Sequence, residues 1–157
     1  MNLAFSTDPD IARTLEILGG TATIRTPVND DFAVHDLLAK GLPAAALLYL
    51  EHQVGLLSAS AGAMERAVGI SPRTLQRRKA GNADALLNPE QSSRTWKFAE
   101  ILGLASEVFS SRAAAEDWMI RPAIGLDHRK PLDMMATPVG ARAVENYLGR
   151  IKYAVYT

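Results

Sequence analysis

Residues 61–79 read AGAMERAVGISPRTLQRRK, and their spacing decides the fold. Met64 and Val68 stand four apart, so on a helix both face one side. Gly69 falls where a residue with positive φ reverses the chain sharply. Ile70 plugs the corner, Ser71 caps a second helix and Pro72 presets its first turn. Leu75 then points back toward the first helix. Two helices joined at such a corner make a helix-turn-helix, whose second helix enters the major groove of double-stranded DNA.

That register leaves Ser71, Arg73, Thr74, Gln76, Arg77, Arg78 and Lys79 as candidate DNA-binding residues. Arg73 suits guanine O6 and N7, and Gln76 suits adenine N6 and N7. Arg77, Arg78 and Lys79 suit phosphates, which position a protein without reading sequence. Two positions depart from the common pattern. Glu65 stands four before Gly69, where a small residue is usual. Arg78 stands three after Leu75, where an apolar one is usual, so either the second helix packs at an unusual angle or Arg78 lays its aliphatic stem on the core. A merely solvated basic helix end is the bland alternative. The Gly-Ile-Ser-Pro corner with Leu75 in register favours DNA.

Charge around this stretch is sorted along the chain. There are 17 basic and 17 acidic residues in 157, for no net charge. Residues 1–60 hold 3 bases and 7 acids, and residues 61–97 hold 7 bases and 3 acids. The last sixty residues balance at 7 and 7. A local positive surface is what phosphate meets, because fields decay within a Debye length of about 8–10 Å.

Working outward, helix punctuation dominates and strand alternation is scarce, so the chain reads as all-α. Asp8-Pro9 opens a helix that ends at Gly19-Gly20, and Asp30-Asp31 opens one that closes at Gly41. Pro43 opens a third with Gly55 as its stop. Ser58 or Ser60 is expected to cap the first helix of the central motif. Asn88-Pro89 starts a long helix to about Phe109, Ser111 a short one to Met119, and Thr137-Pro138 the last. Residues 23–25 read as a brief extension, LDMMA at 132–136 as a turn, and residues 1–30 as a flexible or partly helical arm. Residues 31–109 are expected to form the DNA-binding domain and residues 110–157 a small second one.

No arrangement of enzyme groups is found. Cysteine is absent, which removes thiolate metal sites and thiol nucleophiles. His35, His52 and His128 lie in separate elements without metal-ligand spacing, and Asp127 beside His128 reads as a solvated loop pair. Gly19-Gly20 lacks the further glycines of a dinucleotide fingerprint and the Lys-Ser/Thr of a phosphate loop. No catalytic residue, metal or cofactor is expected. The longest greasy run, AAALLYL at 44–50, is short of the ~20 residues that span a bilayer. With no signal-peptide pattern at the start, a cytoplasmic chain without membrane contact is expected.

From about residue 40 onward the sequence resembles the Xre/MbcA/ParS antitoxin family. The resemblance rests on GLP at 41–43, GISPRTLQRRK at 69–79, LNPEQSSRTWKFAEILGLASEVF at 87–109 and PLDMMATPVGARAVENYLGRIKYAVY at 131–156. It implies an Xre-like helix-turn-helix domain followed by a small helical toxin-binding domain. It implies a RES-domain toxin as partner, similar to ADP-ribosyltransferases and depleting NAD, whose active site the antitoxin covers. It further implies that the complex represses its own operon by binding operator DNA. Carried over by position, the toxin-binding residues would be Arg150, Tyr153, Val155, Tyr156 and Thr157, with the Leu132-Asp133 turn as support.

The residues themselves point the same way at the C-terminus. Tyr147, Tyr153 and Tyr156, three of four tyrosines, lie in the last eleven residues, and tyrosine is enriched at binding surfaces. A homodimer or a hetero-oligomer with the toxin is expected, since DNA-reading helices commonly work as two-fold pairs. The alternative is a helix-turn-helix transcription regulator whose C-terminal domain only dimerises, with no toxin partner.

Overall fold

A computed structural model describes residues 6–59 and 62–155, with Val155 described by its backbone alone. Ten α-helices are found among them, with two isolated bridges and no strand. They are α1 (Pro9–Ile17), α2 (Asp31–Lys40), α3 (Ala44–Gln53), α4 (Gly55–Ala59), α5 (Ala63–Val68), α6 (Pro72–Ala80), α7 (Pro89–Val108), α8 (Arg112–Met119), α9 (Pro131–Met134) and α10 (Pro138–Val155).

The axis of the molecule is α7, twenty residues opened by a capping box in which Asn88 and Gln91 satisfy each other's backbone N–H. Helices α1, α2, α5, α8 and α10 all pack against it. Its buried Trp96, Phe98, Ala99, Ile101, Leu102 and Ala105 appear on more than one face, because neighbours surround it. Helix α4 packs on α5 and α8, α3 on α4 and α6, and α9 on α5, α8 and α10.

Local chemistry explains the joints. Helix α3 begins at Ala44 without a side-chain cap. Its free N–H groups at Ala44 and Ala45 donate to the carbonyls of Ala85 and Ala83, at 2.7 and 2.9 Å. The loop after α6 is thus fastened to the start of α3. Gly41 is required here on two counts: its φ is +117°, and a Cβ would run into the Leu87 carbonyl. Leu42 N–H completes the joint by donating to the buried Ser92 Oγ at 2.8 Å.

Several expectations meet the structure differently. Of the segment expected as a flexible or partly helical arm, residues 9–17 form α1, which packs on the body, and residues 1–5 lie outside the described residues. Asp8 caps α1 by accepting from Asp10 and Ile11 N–H, and Ile11, Leu15, Ile17, Leu18, Ile24 and Val28 are all buried in the common core. Gly103 of α7 lets α1 approach closely, with Arg13 and Ile17 filling the space a side chain would need. Of residues 23–25, read as a brief extension, Thr23 has helical backbone angles and closes a 3-10 turn at Gly20–Ala22. Gly55 is not the stop of α3, which ends at Gln53 with Val54 as its C-cap, but the start of α4, and Ser58 sits inside α4, donating to the Gly55 carbonyl. Helix α5 is preceded by Gly62 in the left-handed region instead of a serine cap; Ser60 lies outside the described residues. Finally, the Leu132-Asp133 turn is the body of a short helix, α9.

Candidate nucleic-acid and partner interfaces

Helix α6 is built as its sequence demands. Ser71 Oγ accepts from Thr74 N–H at 3.2 Å, Pro72 is the first helical residue, and Leu75 is buried as the anchor. Gly69 turns the corner with φ +75°, and Ile70 beneath it is buried. Arg73, Gln76 and Arg77 are exposed, and at i, i+3 and i+4 they share one outward face.

The remaining candidates divide. The Ser71 and Thr74 hydroxyls bond each other at 3.1 Å and serve the cap. Arg78 is half-buried on the side of Leu75, and its Nε is buried without a hydrogen-bond partner. Of the two explanations for a cation at that position, the laid-down stem fits this burial. Lys79 is exposed, but its Nζ reaches Glu51 of α3 at 3.2 Å. Nothing in the local sequence signals that pair, because the partners lie 28 positions apart. Glu65 is exposed, and the inner face of α5 is formed by Ala63, Met64, Ala67 and Val68.

At the other end of the molecule, Ala141, Val144 and Leu148 bury one face of α10. Gly140 lets its first turn meet the Met134 carbonyl, where any Cβ would collide. Tyr147 stacks with Trp118 at 6.2 Å between ring centroids, and Phe109 lies 5.2 Å from Trp118. Tyr147 therefore serves the interior as much as any surface. Arg150 is exposed, with its guanidinium 5.9 Å from the Tyr147 ring centre, and Tyr153 is 71% exposed. Val155 continues the helix, while Tyr156 and Thr157 lie outside the described residues.

Comparison with known proteins joins these two ends. Residues 33–100 match the antitoxin Xre-like helix-turn-helix domain. Residues 104–154 match the antitoxin Xre/MbcA/ParS C-terminal toxin-binding domain. An antitoxin Xre of Pseudomonas putida is 30% identical over 121 residues, which cover 77% of this chain and 72% of that protein. The chain belongs to the Xre/MbcA/ParS antitoxin family. Two further relatives, also antitoxins Xre, come from Yersinia enterocolitica and Photorhabdus laumondii. The first is 34% identical over 93 residues, 59% of this chain and 62% of the relative, so the match spans less than two thirds of that protein. The second is 27% identical over 134 residues, 85% and 87% of the two chains.

In this antitoxin α6 lies in the helix-turn-helix domain, α8 to α10 lie in the toxin-binding domain, and α7 runs through both. Helix α1 precedes both matched stretches. Three exposed apolar side chains were not signalled by sequence patterning: Phe32 on α2, Ile124 in the loop before α9, and Val139 at the start of α10. A cleft of about 490 Å³ opens between α7 and the N-terminal half of α10, lined by Arg94, Lys97, Met135, Pro138 and Glu145 among others. Burial weighs against the Lys97 charge there, but Glu100 and Glu145 outweigh it and raise its pKa above the ordinary lysine value. Burial, opposed by Lys97 and reinforced by Glu100, holds the Glu145 carboxyl above its ordinary value. Among the described residues no group of three or more His, Asp or Glu side chains is placed to hold a metal, and no helix is long and apolar enough to cross a membrane.

Proposed function

We propose that this antitoxin neutralises a RES-type, NAD-depleting toxin by covering its active site, and represses its own operon through α6. The observation that carries the reading is the end of α10. There the toxin-binding domain projects Arg150 and a largely exposed Tyr153 from a helix whose opposite face is buried. An aromatic ring and a guanidinium on a rigid helix suit a protein pocket, since such side chains dominate binding hot spots. The remaining toxin-facing residues are Val155, Tyr156 and Thr157. Neutralisation by occlusion asks no chemistry of the antitoxin itself.

On the DNA side, Arg73 and Gln76 read base edges while Arg77 and Lys79 hold phosphates, with Ser71 and Thr74 shaping the start of the helix. Lys79 exchanges Glu51 for a phosphate when it binds. Arg78 supports the helix from beneath and reaches the backbone only at its tip. Two chains present two such helices to an operator in the cytoplasm.

Co-expression with the product of the adjacent reading frame tests the reading. A complex that co-purifies and no longer cleaves NAD is expected. A complex that still cleaves NAD rules out occlusion, and failure to form any complex rules out the toxin partner.

A further inference from the structure

Arg94, in the second turn of α7, reaches three places at once. Its Nη2 donates to the Arg66 carbonyl at 3.1 Å and to the Met135 carbonyl at 3.2 Å. The first lies in the last turn of α5 and the second at the end of α9, where helix carbonyls lose their intrahelical donors. The guanidinium also covers Gly69, and a Cβ at that position would run into it. Beside it, Arg66 Nε meets the Asp133 carboxylate of α9 at 3.4 Å. One side chain and one ion pair therefore fasten the corner of the helix-turn-helix to the toxin-binding domain.

We propose that Arg94 is a positioning residue for α6, and that it couples occupancy of the C-terminal domain to the grip on DNA. One guanidinium NH2 group bonds two carbonyls only while they keep a fixed separation. Helix α9 also abuts α10 at the Met134 carbonyl and Gly140, so α9 stands between the helix bearing Arg150 and Tyr153 and the corner at Gly69. A partner that shifts α10 moves α9, and Arg94 carries that shift to the turn that aims α6. Coupling of this kind is reciprocal, so DNA binding alters partner binding by the same factor. The inference rests on the antitoxin reading above.

The test compares the full-length native chain, Arg94→Lys and Arg66→Gln. Binding to a duplex of the chain's own upstream sequence is measured with and without a saturating amount of the adjacent reading frame's product, the RES protein of the reading above. Arg94→Lys keeps the charge and loses the planar guanidinium that covers Gly69. Arg66→Gln changes a side chain 47% exposed and removes only the ion pair, so it serves even if Arg94→Lys unfolds. In the native chain, DNA affinity is expected to change about fivefold or more on adding the RES protein. In Arg94→Lys that ratio should fall to about one, and in Arg66→Gln it should fall part-way, with RES affinity in the absence of DNA retained. A merely structural Arg94 would lower stability and leave the ratio intact. Equal ratios in all three chains, or a native ratio of one while the RES protein is bound, overturn the coupling. Absence of any complex with the native chain instead overturns the antitoxin reading, and the inference with it.

Discussion

At Arg73 the difference between reading a base and holding a phosphate becomes measurable. Arg73→Ala should cost about 1–3 kcal/mol at the preferred operator and relax base preference at one position. Arg77→Ala should weaken all sequences alike and lower the salt slope of binding by about one. Titrations of operator and scrambled duplexes over a range of salt separate the two, and identical effects would abolish the proposed division. The exposed trio of Arg73, Gln76 and Arg77 was legible in sequence because Leu75 fixes the helix phase. The Lys79–Glu51 pair and the Arg94 bridge were not, because each joins elements whose juxtaposition only the tertiary fold decides.

Helix boundaries were legible wherever a capping side chain and a proline coincide, as at Asp8-Pro9, Ser71-Pro72 and Asn88-Pro89. Gly41 and Gly69 close their helices as read, but Gly55 starts α4 while Val54 caps α3, and α5 follows Gly62 without a side-chain cap. Between α7 and α10, the half-buried Glu145 gives a test of the packing. Its carboxyl binds a proton more readily folded than unfolded, with 4.5 as the unfolded reference. Its protonation therefore supports the fold below about that pH, and the support is lost as pH rises through the folded value. Glu145→Gln mimics the protonated form throughout. Relative to it, the native chain should gain in melting temperature as pH falls from 7 to 4; a constant difference would mean that Glu145 does not feel this environment.

For the whole molecule, the docking of α1 is what the sequence left open. The helix read from Asp8-Pro9 lays its apolar face on α7 at Gly103, and Arg13 pairs with Glu107 at 2.7 Å. Glu107 also holds Lys152 near the end of α10 at 3.2 Å, so the first helix, the axis and the last helix share one ionic junction. Leu15→Ala should lower the free energy of unfolding by about 2–5 kcal/mol, as for a fully buried leucine; a loss within about 0.5 kcal/mol in denaturant titration would restore the arm. The central claim is that one scaffold separates a DNA-binding end from a toxin-covering tip. A chain ending at Lys152, lacking Tyr153 to Thr157, tests it most directly by operator affinity and by protection of cells making the RES-domain protein. Unchanged operator affinity with lost protection is the expected result, and full protection by the shortened chain would contradict the account.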